Sequence, residues 1–146
     1  MKIVKLQVSD LALLNDFIDQ CGTSLNTFRY FNHRPLKTIQ NHIITVLLLD
    51  ATGNPIAYGH LEQEHEKVWL GICVAENNIG RGYGKRMMEE LIIQAKLMKL
   101  EFVFLTVDKS NFAAIKLYEK SGFNPIHENE IKVWYQWRLG ISNNEI

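Results

Sequence analysis

The chain has 146 residues, a length at which one domain buries about two-thirds of the surface that its unfolded chain exposes. Sixteen Lys and Arg residues balance sixteen Asp and Glu residues along the chain. The composition therefore gives no overall positive charge that would attract nucleic acid or a membrane surface. Cys21 and Cys73 lie far apart without metal-ligand spacing, which favours a reducing compartment over a disulfide framework. The start "MKIVKLQV" lacks the apolar core of a signal peptide, and no apolar run approaches membrane-spanning length. We therefore expect a soluble cytoplasmic protein.

Hydrophobic patterning of the first half predicts one helix and a run of strands. Alternation predicts a strand at 2–8, and Ser9 or Asp10 is placed to cap a helix over "LALLNDFIDQ". Residues 21–34 are predicted as a loop or an irregular helix, and "LKTIQNH" as a short helix. Three further strands form a predicted meander: "HIITVLLLD", "IAYGHLEQ" and "KVWLGICV".

The second half predicts alternating helices and strands. A long helix runs to about Leu97, the strand "EFVFLTV" follows, and a second helix covers 111–121 and ends at Gly122. Strands near "FNPI" and "IKVWYQWRL" complete the pattern. Early antiparallel strands followed by strand–helix–strand units predict a mixed α/β (α+β) sheet with helices on both faces. Since no linker divides the chain, we expect one domain at 1–140 and a frayed tail at 141–146.

Three glycines at alternate positions, Gly80, Gly82 and Gly84, precede the long helix in "GRGYGKRMMEEL". Glycine permits positive φ and carries no Cβ, so successive backbone N–H groups can point into one concavity at the helix start. These N–H groups and the positive end of the helix dipole favour an anion, which would also offset the nearby cations Arg81 and Lys85. The pattern indicates a phosphate site, with a solvent-facing turn as the alternative. Neither a Walker loop nor a dinucleotide GxGxxG spacing is present.

Two blocks about thirty residues apart, "VAENNIGRGYGKRMMEEL" and "LTVDKSNFAAIKLYEKSGF", carry a resemblance to a known family. The first resembles the pyrophosphate loop Gln/Arg-x-x-Gly-x-Gly/Ala of the GNAT superfamily of acyl-CoA-dependent N-acyltransferases, with Ile79 in place of the Gln or Arg. The second is similar to the family's Asn-x-x-Ala-x-x-x-Tyr-x-x-x-Gly-Phe segment without a gap. The resemblance implies the GNAT fold, a mostly antiparallel sheet of about seven strands, splayed at its centre and flanked by about four helices. It also implies acetyl-CoA as the acyl donor and no metal.

The resemblance further implies where acetyl-CoA binds. In the family, the fourth strand and the next one splay apart, and the pantetheine arm lies in the gap against exposed backbone. The glycine loop holds the pyrophosphate, and Asn111 reaches the pantetheine or the splayed strand, with a helix N-cap as its alternative or additional role. The implied contacts are Ile72, Cys73, Val74, Ile79, Gly80, Arg81, Gly82, Tyr83, Gly84, Lys85, Asn111, Ala114 and Tyr118.

Direct attack of an amine on a thioester needs a proton donor for the departing thiolate. Tyr118 stands where the family usually has this acid, so the resemblance implies that it is the donor. A tyrosine packed between helix and sheet is the alternative. A covalent route through Cys73 is disfavoured because no histidine partner is assigned to it.

The same reaction needs a base, and here the family pattern fails because its usual base positions hold Val68 and Leu70. On the neighbouring strand His60 and Glu62 share one face and are the candidate bases, with structural or surface roles as alternatives. A hairpin turn centred on His65 predicts Glu62 opposite Val68 and His60 opposite Leu70; a slip of one residue reverses this.

An acceptor site is predicted in "TFRYFNHRP", where aromatic and cationic residues are dense. Arginines would bind an anionic group and aromatics would stack on a ring, while anchoring of the loop by its aromatics is the alternative. This fits a nucleotide-linked amino sugar, but also a small amine, an amino acid or a peptide terminus. The predicted acceptor residues are Phe28, Arg29, Tyr30, Phe31 and Arg34.

These inferences predict an N-acetyltransferase that transfers acetyl to a small-molecule primary amine in a ternary complex. We expect a monomer or homodimer that binds neither nucleic acid nor membranes. The alternatives are a transferase for a protein or peptide amine, a non-catalytic acyl-CoA-binding module that lacks a usable base, and an interaction domain that binds no CoA. Turnover with a library of amines separates an enzyme from a binding module.

Overall fold

The computed structural model describes residues 1–140, which form three α-helices and one sheet of seven strands. The predicted tail at 141–146 lies outside the described residues. The helices are α1 (Leu11–Gln20), α2 (Tyr83–Leu97) and α3 (Phe112–Lys120). The strands are β1 (Lys2–Lys5), β2 (His42–Leu49), β3 (Pro55–Glu64), β4 (Lys67–Val74), β5 (Phe102–Asp108), β6 (Asn124–Glu128) and β7 (Lys132–Arg138).

The sheet is mixed and splayed, as predicted. Its strand order is β1-β2-β3-β4-β5-β7-β6, and every neighbouring pair is antiparallel except β4 and β5. Strand β4 pairs with β3 along its whole length, whereas among the described residues its pairing with β5 consists of Trp69 opposite Phe104. Beyond that point the two strands diverge, so the carboxyl end of β4 has one edge without a strand partner.

Helices cover both faces of the sheet, which is also as predicted. On one face α2 buries Met87, Met88, Leu91 and Ala95, of which Met87, Leu91 and Ala95 are four apart along the helix, and α3 packs into the same core. Gly59 of β3 allows α2 to approach closely, because a Cβ there would come within 2.7 Å of the Met87 side chain. On the other face α1 packs its Leu14 and Phe17 against a second core.

Short 3-10 helices account for the differences from the predicted elements. Strand β1 ends at Lys5 instead of continuing to residue 8, because a 3-10 turn at Val8–Asp10 follows and the Asp10 carboxylate accepts a hydrogen bond from the Gln7 N–H. The segment "LKTIQNH" forms a 3-10 helix at Leu36–Asn41 that leads into β2. Within residues 1–140, no helix is long and apolar enough to cross a membrane.

The β3–β4 hairpin differs from the predicted register by one residue. Glu64 pairs with Lys67, so the turn consists of the two residues between them, and His65 has a φ of 57°. A two-residue turn with positive φ matches the twist of the flanking strands, whereas the prediction assumed a turn centred on His65 alone. Glu62 therefore lies opposite Trp69 and His60 opposite Gly71.

Val68 and Leu70 consequently do not lie beside the candidate bases. Both side chains belong to the core that β4 shares with α2 and α3. Tyr58, which shares a strand face with His60, belongs instead to the core on the α1 side. The register thus places Val68 and Leu70 on the other face of the sheet from His60 and Glu62, although Leu70 also lines the cavity described below.

Candidate active site

A cavity of about 370 Å³ lies where β4 and β5 diverge. Its wall brings together the loop after α1, the polar face of β3, the middle of β4, the end of β5, the first residue of β7, and α3 with its N-cap. The lining residues that bear on chemistry are Phe28, Arg29, Tyr30, Arg34, His60, Glu62, Glu64, Gly71, Ile72, Asp108, Asn111, Tyr118 and Lys132. This volume lies within the range of small-ligand sites.

The loop before α2 was predicted to have an open backbone at three glycines, and two of them have it. Gly80 and Gly82 both have a φ of 83°, and a Cβ on either would meet nothing within 4 Å among the described residues. Gly82 is the N-cap of α2, and its backbone carbonyl accepts from the Arg86 N–H. Ile79 is 60% exposed, and Arg81 and Lys85 are exposed beside it. The loop and the start of α2, including Tyr83, lie outside the cavity wall.

Gly84 differs from the other two glycines. It lies inside α2 without a positive φ, so the expectation of positive φ is wrong at this position. A Cβ there would lie 3.4 Å from the Leu117 side chain and 3.8 Å from Val74. Gly84 therefore brings the start of α2 close to α3 and to the end of β4.

The end of β4 presents the residues predicted to hold a pantetheine arm. Ile72, Cys73 and Val74 pair with β3 on one side, and β5 has already diverged on the other. The Val74 carbonyl also accepts a hydrogen bond of 2.7 Å from the Ser24 hydroxyl. The Cys73 sulfur lies 3.9 Å from that of Cys21, and both thiols are buried and free. The contact with Cys21, together with burial, raises the pKa of Cys73, which disfavours a thiolate nucleophile.

Asn111 and Ala114 meet at the start of α3. The Asn111 side-chain oxygen accepts a hydrogen bond of 3.3 Å from the Ala114 N–H, so Asn111 caps the helix. Asn111 also lines the cavity, so it can contact a ligand there while it caps α3. At the other end, Gly122 has a φ of 100°, and its N–H and that of Phe123 bond back to Glu119 and Tyr118. Both ends of the helix that carries Tyr118 are therefore fixed.

Tyr118 lies in the cavity wall with 9% of its surface exposed. Its ring packs on Phe123 at a centroid distance of 6.2 Å. Burial, with a smaller effect of Cys73, raises the pKa of Tyr118 to about 12. The phenol is therefore protonated at neutral pH, as a proton donor must be.

His60 lies deeper, with 3% of its surface exposed. Its Nδ1 is 2.6 Å from the Tyr58 hydroxyl, and its ring lies against Gly71 of β4. Burial lowers the pKa of His60 well below its ordinary value, and His42 and Arg34 lower it further. The imidazole is therefore neutral, which a proton acceptor requires, but it binds a proton weakly.

Glu62 belongs to a hydrogen-bonded chain that the sequence did not indicate. The Tyr30 hydroxyl donates to the Glu62 carboxylate at 2.7 Å and lies 2.7 Å from His42 Nε2, while His42 Nδ1 lies 2.7 Å from the Thr45 hydroxyl. Burial, and to a lesser extent Arg34, lowers the pKa of His42 to about 4, so this ring is also neutral. Burial and Glu62 raise the pKa of Tyr30. His42 and Thr45 come from β2 and carry no local motif.

The loop after α1 is anchored by its aromatic residues, and four of its five predicted acceptor residues reach the cavity. Phe28 packs 5.4 Å from the Tyr58 ring and Tyr30 lies 4.5 Å from His60. Phe31 packs against Tyr58 at 5.7 Å and is not part of the cavity wall. Anchoring was the alternative role for these aromatics.

The two arginines of this loop already have partners. Arg29 forms a bidentate bridge to Asp108, with N–O distances of 3.1 and 3.0 Å, which ties the loop to the end of β5. The Arg34 guanidinium lies 4.3 Å from the centre of the Tyr30 ring. An anionic acceptor would therefore compete with Asp108 for Arg29.

The sequence of this chain is similar to those of known acetyltransferases. Residues 12–123 match the Acetyltransferase (GNAT) family. An uncharacterized N-acetyltransferase, YobR, of Bacillus subtilis (strain 168) is 42% identical over 62 residues, which are 42% of this chain and 25% of that protein. The spermine/spermidine N(1)-acetyltransferase of the same organism is 34% identical over 64 residues, 42% of each chain. The matched segments thus cover less than half of these relatives.

Solved structures share the fold at lower identity. The GNAT domain of S. lividans PAT has a TM-score of 0.80 at 16% identity and covers 94% of this chain and 89% of its own. The PaiA N-acetyltransferase of Thermoplasma acidophilum, solved in complex with coenzyme A, has a TM-score of 0.75 at 16% identity, with 94% and 98% covered. At 16% identity this likeness shows the fold alone.

Proposed function

The chain belongs to the acetyltransferase (GNAT) family, since most of its length matches that family, and from this premise we propose that it transfers acetyl from acetyl-CoA to a primary amine of a small molecule. The amine attacks the thioester directly in a ternary complex. One observation carries the proposal: the cavity at the β4–β5 divergence has a protonated phenol, Tyr118, and two proton acceptors, His60 and Glu62, in its wall.

The residues around the gap fit acetyl-CoA, which supplies the activated acetyl group. The open backbone at Gly80 and Gly82 leaves room for a pyrophosphate at the N-terminus of α2, where unpaired N–H groups and the helix dipole favour an anion. Arg81 and Lys85 add exposed positive charge at the same place. The unpaired edge at Ile72 and Cys73 offers backbone hydrogen bonds to an extended arm.

The reaction forms a C–N bond and breaks the C–S bond of the thioester. A pKa of about 12 keeps the Tyr118 phenol protonated until the C–S bond breaks, and Tyr118 then donates its proton to the departing sulfur. The proton released by the amine passes to Glu62 or His60. Glu62 is the better placed of the two for an incoming ligand, since 13% of its side chain is exposed whereas His60 is almost fully buried.

The carboxylates in the cavity wall support a small cationic amine as the acceptor. Three carboxylates, Glu62, Glu64 and Asp108, line the cavity together with three cations, Arg29, Arg34 and Lys132. Asp108 is paired with Arg29, and Arg34 lies over the Tyr30 ring. An alkylammonium group finds partners there, whereas a nucleotide-linked amino sugar would have to displace Asp108 from Arg29. The partial match to an enzyme named for spermine and spermidine is consistent with this class.

The test is a screen of acetyl-CoA turnover, read as free thiol release, against an amine library that includes polyamines, amino sugars, amino acids and peptides. The expected result is thiol release together with labelled acetyl on a small di- or polyamine. Acetyl-CoA binding without turnover on any amine would favour the non-catalytic module. Turnover confined to peptide amino termini would overturn the small-molecule acceptor and indicate a protein acceptor instead.

A further inference from the structure

Three side chains on the polar face of β2 and β3 form a compact cluster. His42, His60 and Glu62 each offer one ligand atom, and these atoms lie within 4.8 Å of one another. We propose that this cluster binds a divalent transition-metal ion, with Zn²⁺ as the best match. Imidazole nitrogen and carboxylate oxygen are ligands of Zn²⁺ sites that keep an open coordination position, whereas Mg²⁺ and Ca²⁺ prefer oxygen ligands throughout.

The orientation of the two rings is the strongest support for a metal. Each histidine uses Nδ1 for a partner outside the cluster, Thr45 for His42 at 2.7 Å and Tyr58 for His60 at 2.6 Å. His42 thereby directs its Nε2 toward Glu62, 3.9 Å from Oε2. In His60, Nε2 is the nitrogen left for an ion, and it lies over Gly71. An outer hydrogen bond that fixes the tautomer and orientation of a ring is the usual companion of a metal-bound histidine.

The Tyr30 hydroxyl explains how the cluster is satisfied without an ion. It lies between two of the ligand atoms, 2.7 Å from His42 Nε2 and 2.7 Å from Glu62 Oε2. An ion in the same place would bind both atoms, so the hydroxyl and the ion compete. Tyr30 lies on the loop after α1 rather than on a strand, and withdrawal of its side chain leaves β2 and β3 in place.

Binding requires the ligand atoms to close from separations of up to 4.8 Å. Ligand atoms about 2 Å from a tetrahedral ion lie about 3.4 Å apart. His42 Nε2 and Glu62 Oε2 are already 3.9 Å apart, so the pair closes by about half an ångström on binding. The His42 side chain is fully buried and that of Glu62 is 13% exposed, so the fourth position of the ion opens toward the cavity.

Occupation by a metal has a consequence that rests on the proposed function. The ion would occupy the lone pairs of Glu62 and His60, the two groups proposed to take the proton from the amine. Zn²⁺ therefore inhibits acetyl transfer reversibly, and a chelator restores it. Binding itself does not depend on that activity.

The test is a titration of metal-free protein with Co²⁺, read by its visible absorption, followed by competition with Zn²⁺. We expect one ion per chain with tetrahedral-type absorption. Glu62→Gln and His42→Gln should each weaken binding by at least about tenfold. Tyr30→Phe should retain or tighten binding, because it removes the competing hydroxyl. His33→Gln is the matched control, since His33 is exposed and outside the cluster.

Circular dichroism and thermal unfolding establish which variants fold. If His42→Gln does not, Thr45→Val replaces it: this change keeps the shape of the side chain but removes the outer hydrogen bond of His42, and should cost about 10- to 100-fold in affinity. Absence of binding, or equal binding by Glu62→Gln and the parent protein, overturns the site. Metal binding without any amine turnover would leave the site standing and count against the proposed enzyme alone.

Discussion

The imidazole of His60 lies directly against the backbone of Gly71 on the paired strand. A Cβ at position 71 would lie 2.6 Å from both Cε1 and Nε2 of that ring. Glycine at this position therefore leaves the room that the buried His60 ring needs.

Gly71→Ala should displace the His60 ring and lower the free energy of unfolding by about 1–3 kcal/mol, the usual cost of an added methyl in a packed site. Gly59→Ala is the matched control, because its Cβ meets Met87 at 2.7 Å on the opposite face of the sheet. Denaturant unfolding should show both losses. Turnover of the folded protein should fall for Gly71→Ala and change much less for Gly59→Ala; equal turnover in the two variants would separate His60 from the reaction.

Gly82→Val should weaken acetyl-CoA binding by about tenfold, because left-handed backbone costs a side chain about 1–2 kcal/mol and the new Cβ enters the open space proposed for the pyrophosphate. Gly53→Val is the control, since Gly53 has a similar φ of 86° and equally open surroundings in the β2–β3 turn. Calorimetry of CoA binding should separate the two variants. Unchanged affinity in a folded Gly82→Val protein would remove the loop from the cofactor site.

Tyr118→Phe should lower kcat by about 10²-fold and leave CoA affinity nearly intact, because it removes the hydroxyl but keeps the ring packing. Since the pKa of Tyr118 is raised to about 12, the hydroxyl is protonated below that pH, and its loss of a proton should cause no alkaline fall in kcat between about pH 7 and 10. Tyr135→Phe is the control: Tyr135 is buried and donates to Glu119 away from the cavity. Parent-like turnover of Tyr118→Phe would assign Tyr118 to packing.

Glu62→Gln and His60→Gln should identify the base. Glu62→Gln keeps a hydrogen-bond acceptor for the Tyr30 hydroxyl but cannot take a proton, so kcat should fall by about 10²-fold or more with CoA affinity preserved. His60→Gln should have a smaller effect, because His60 is nearly inaccessible to a ligand. Steady-state kinetics with a saturating amine is the measurement. The reverse order would make His60 the base, and parent-like rates for both would indicate deprotonation by water.

The sequence predicted those parts of the molecule whose signals are local. The apolar spacing of α1 and the alternation of β2 to β4 are visible within short windows, and the structure confirms these elements. Of the three glycines before α2, Gly80 and Gly82 have the expected positive φ and Gly84 does not. The splay of β4 from β5 followed from the resemblance to the family. The role of Asn111 as a cap was visible as well, because capping depends on neighbours in sequence.

Features that depend on turn length or on distant strands were missed. The β3–β4 register differed by one residue because the turn holds two residues, and a change of one residue exchanges the faces of a strand. The contact of His42 with Tyr30 and Glu62 joins β2, β3 and a loop, and the bridge from Arg29 to Asp108 spans 79 positions. Such contacts have no period or spacing in the sequence.

Alkylation of the buried thiols of Cys21 and Cys73 can report local opening of the protein. They lie 3.9 Å apart beneath α1 and are the two cysteines of the chain, with 0% and 5% of their surfaces exposed. A thiol reagent reaches them when α1 separates from the sheet, so the rate of alkylation measures how often that face opens. Because Cys73 lies at the edge of the gap, slower alkylation with CoA present would report occupation of the gap without any acceptor being known.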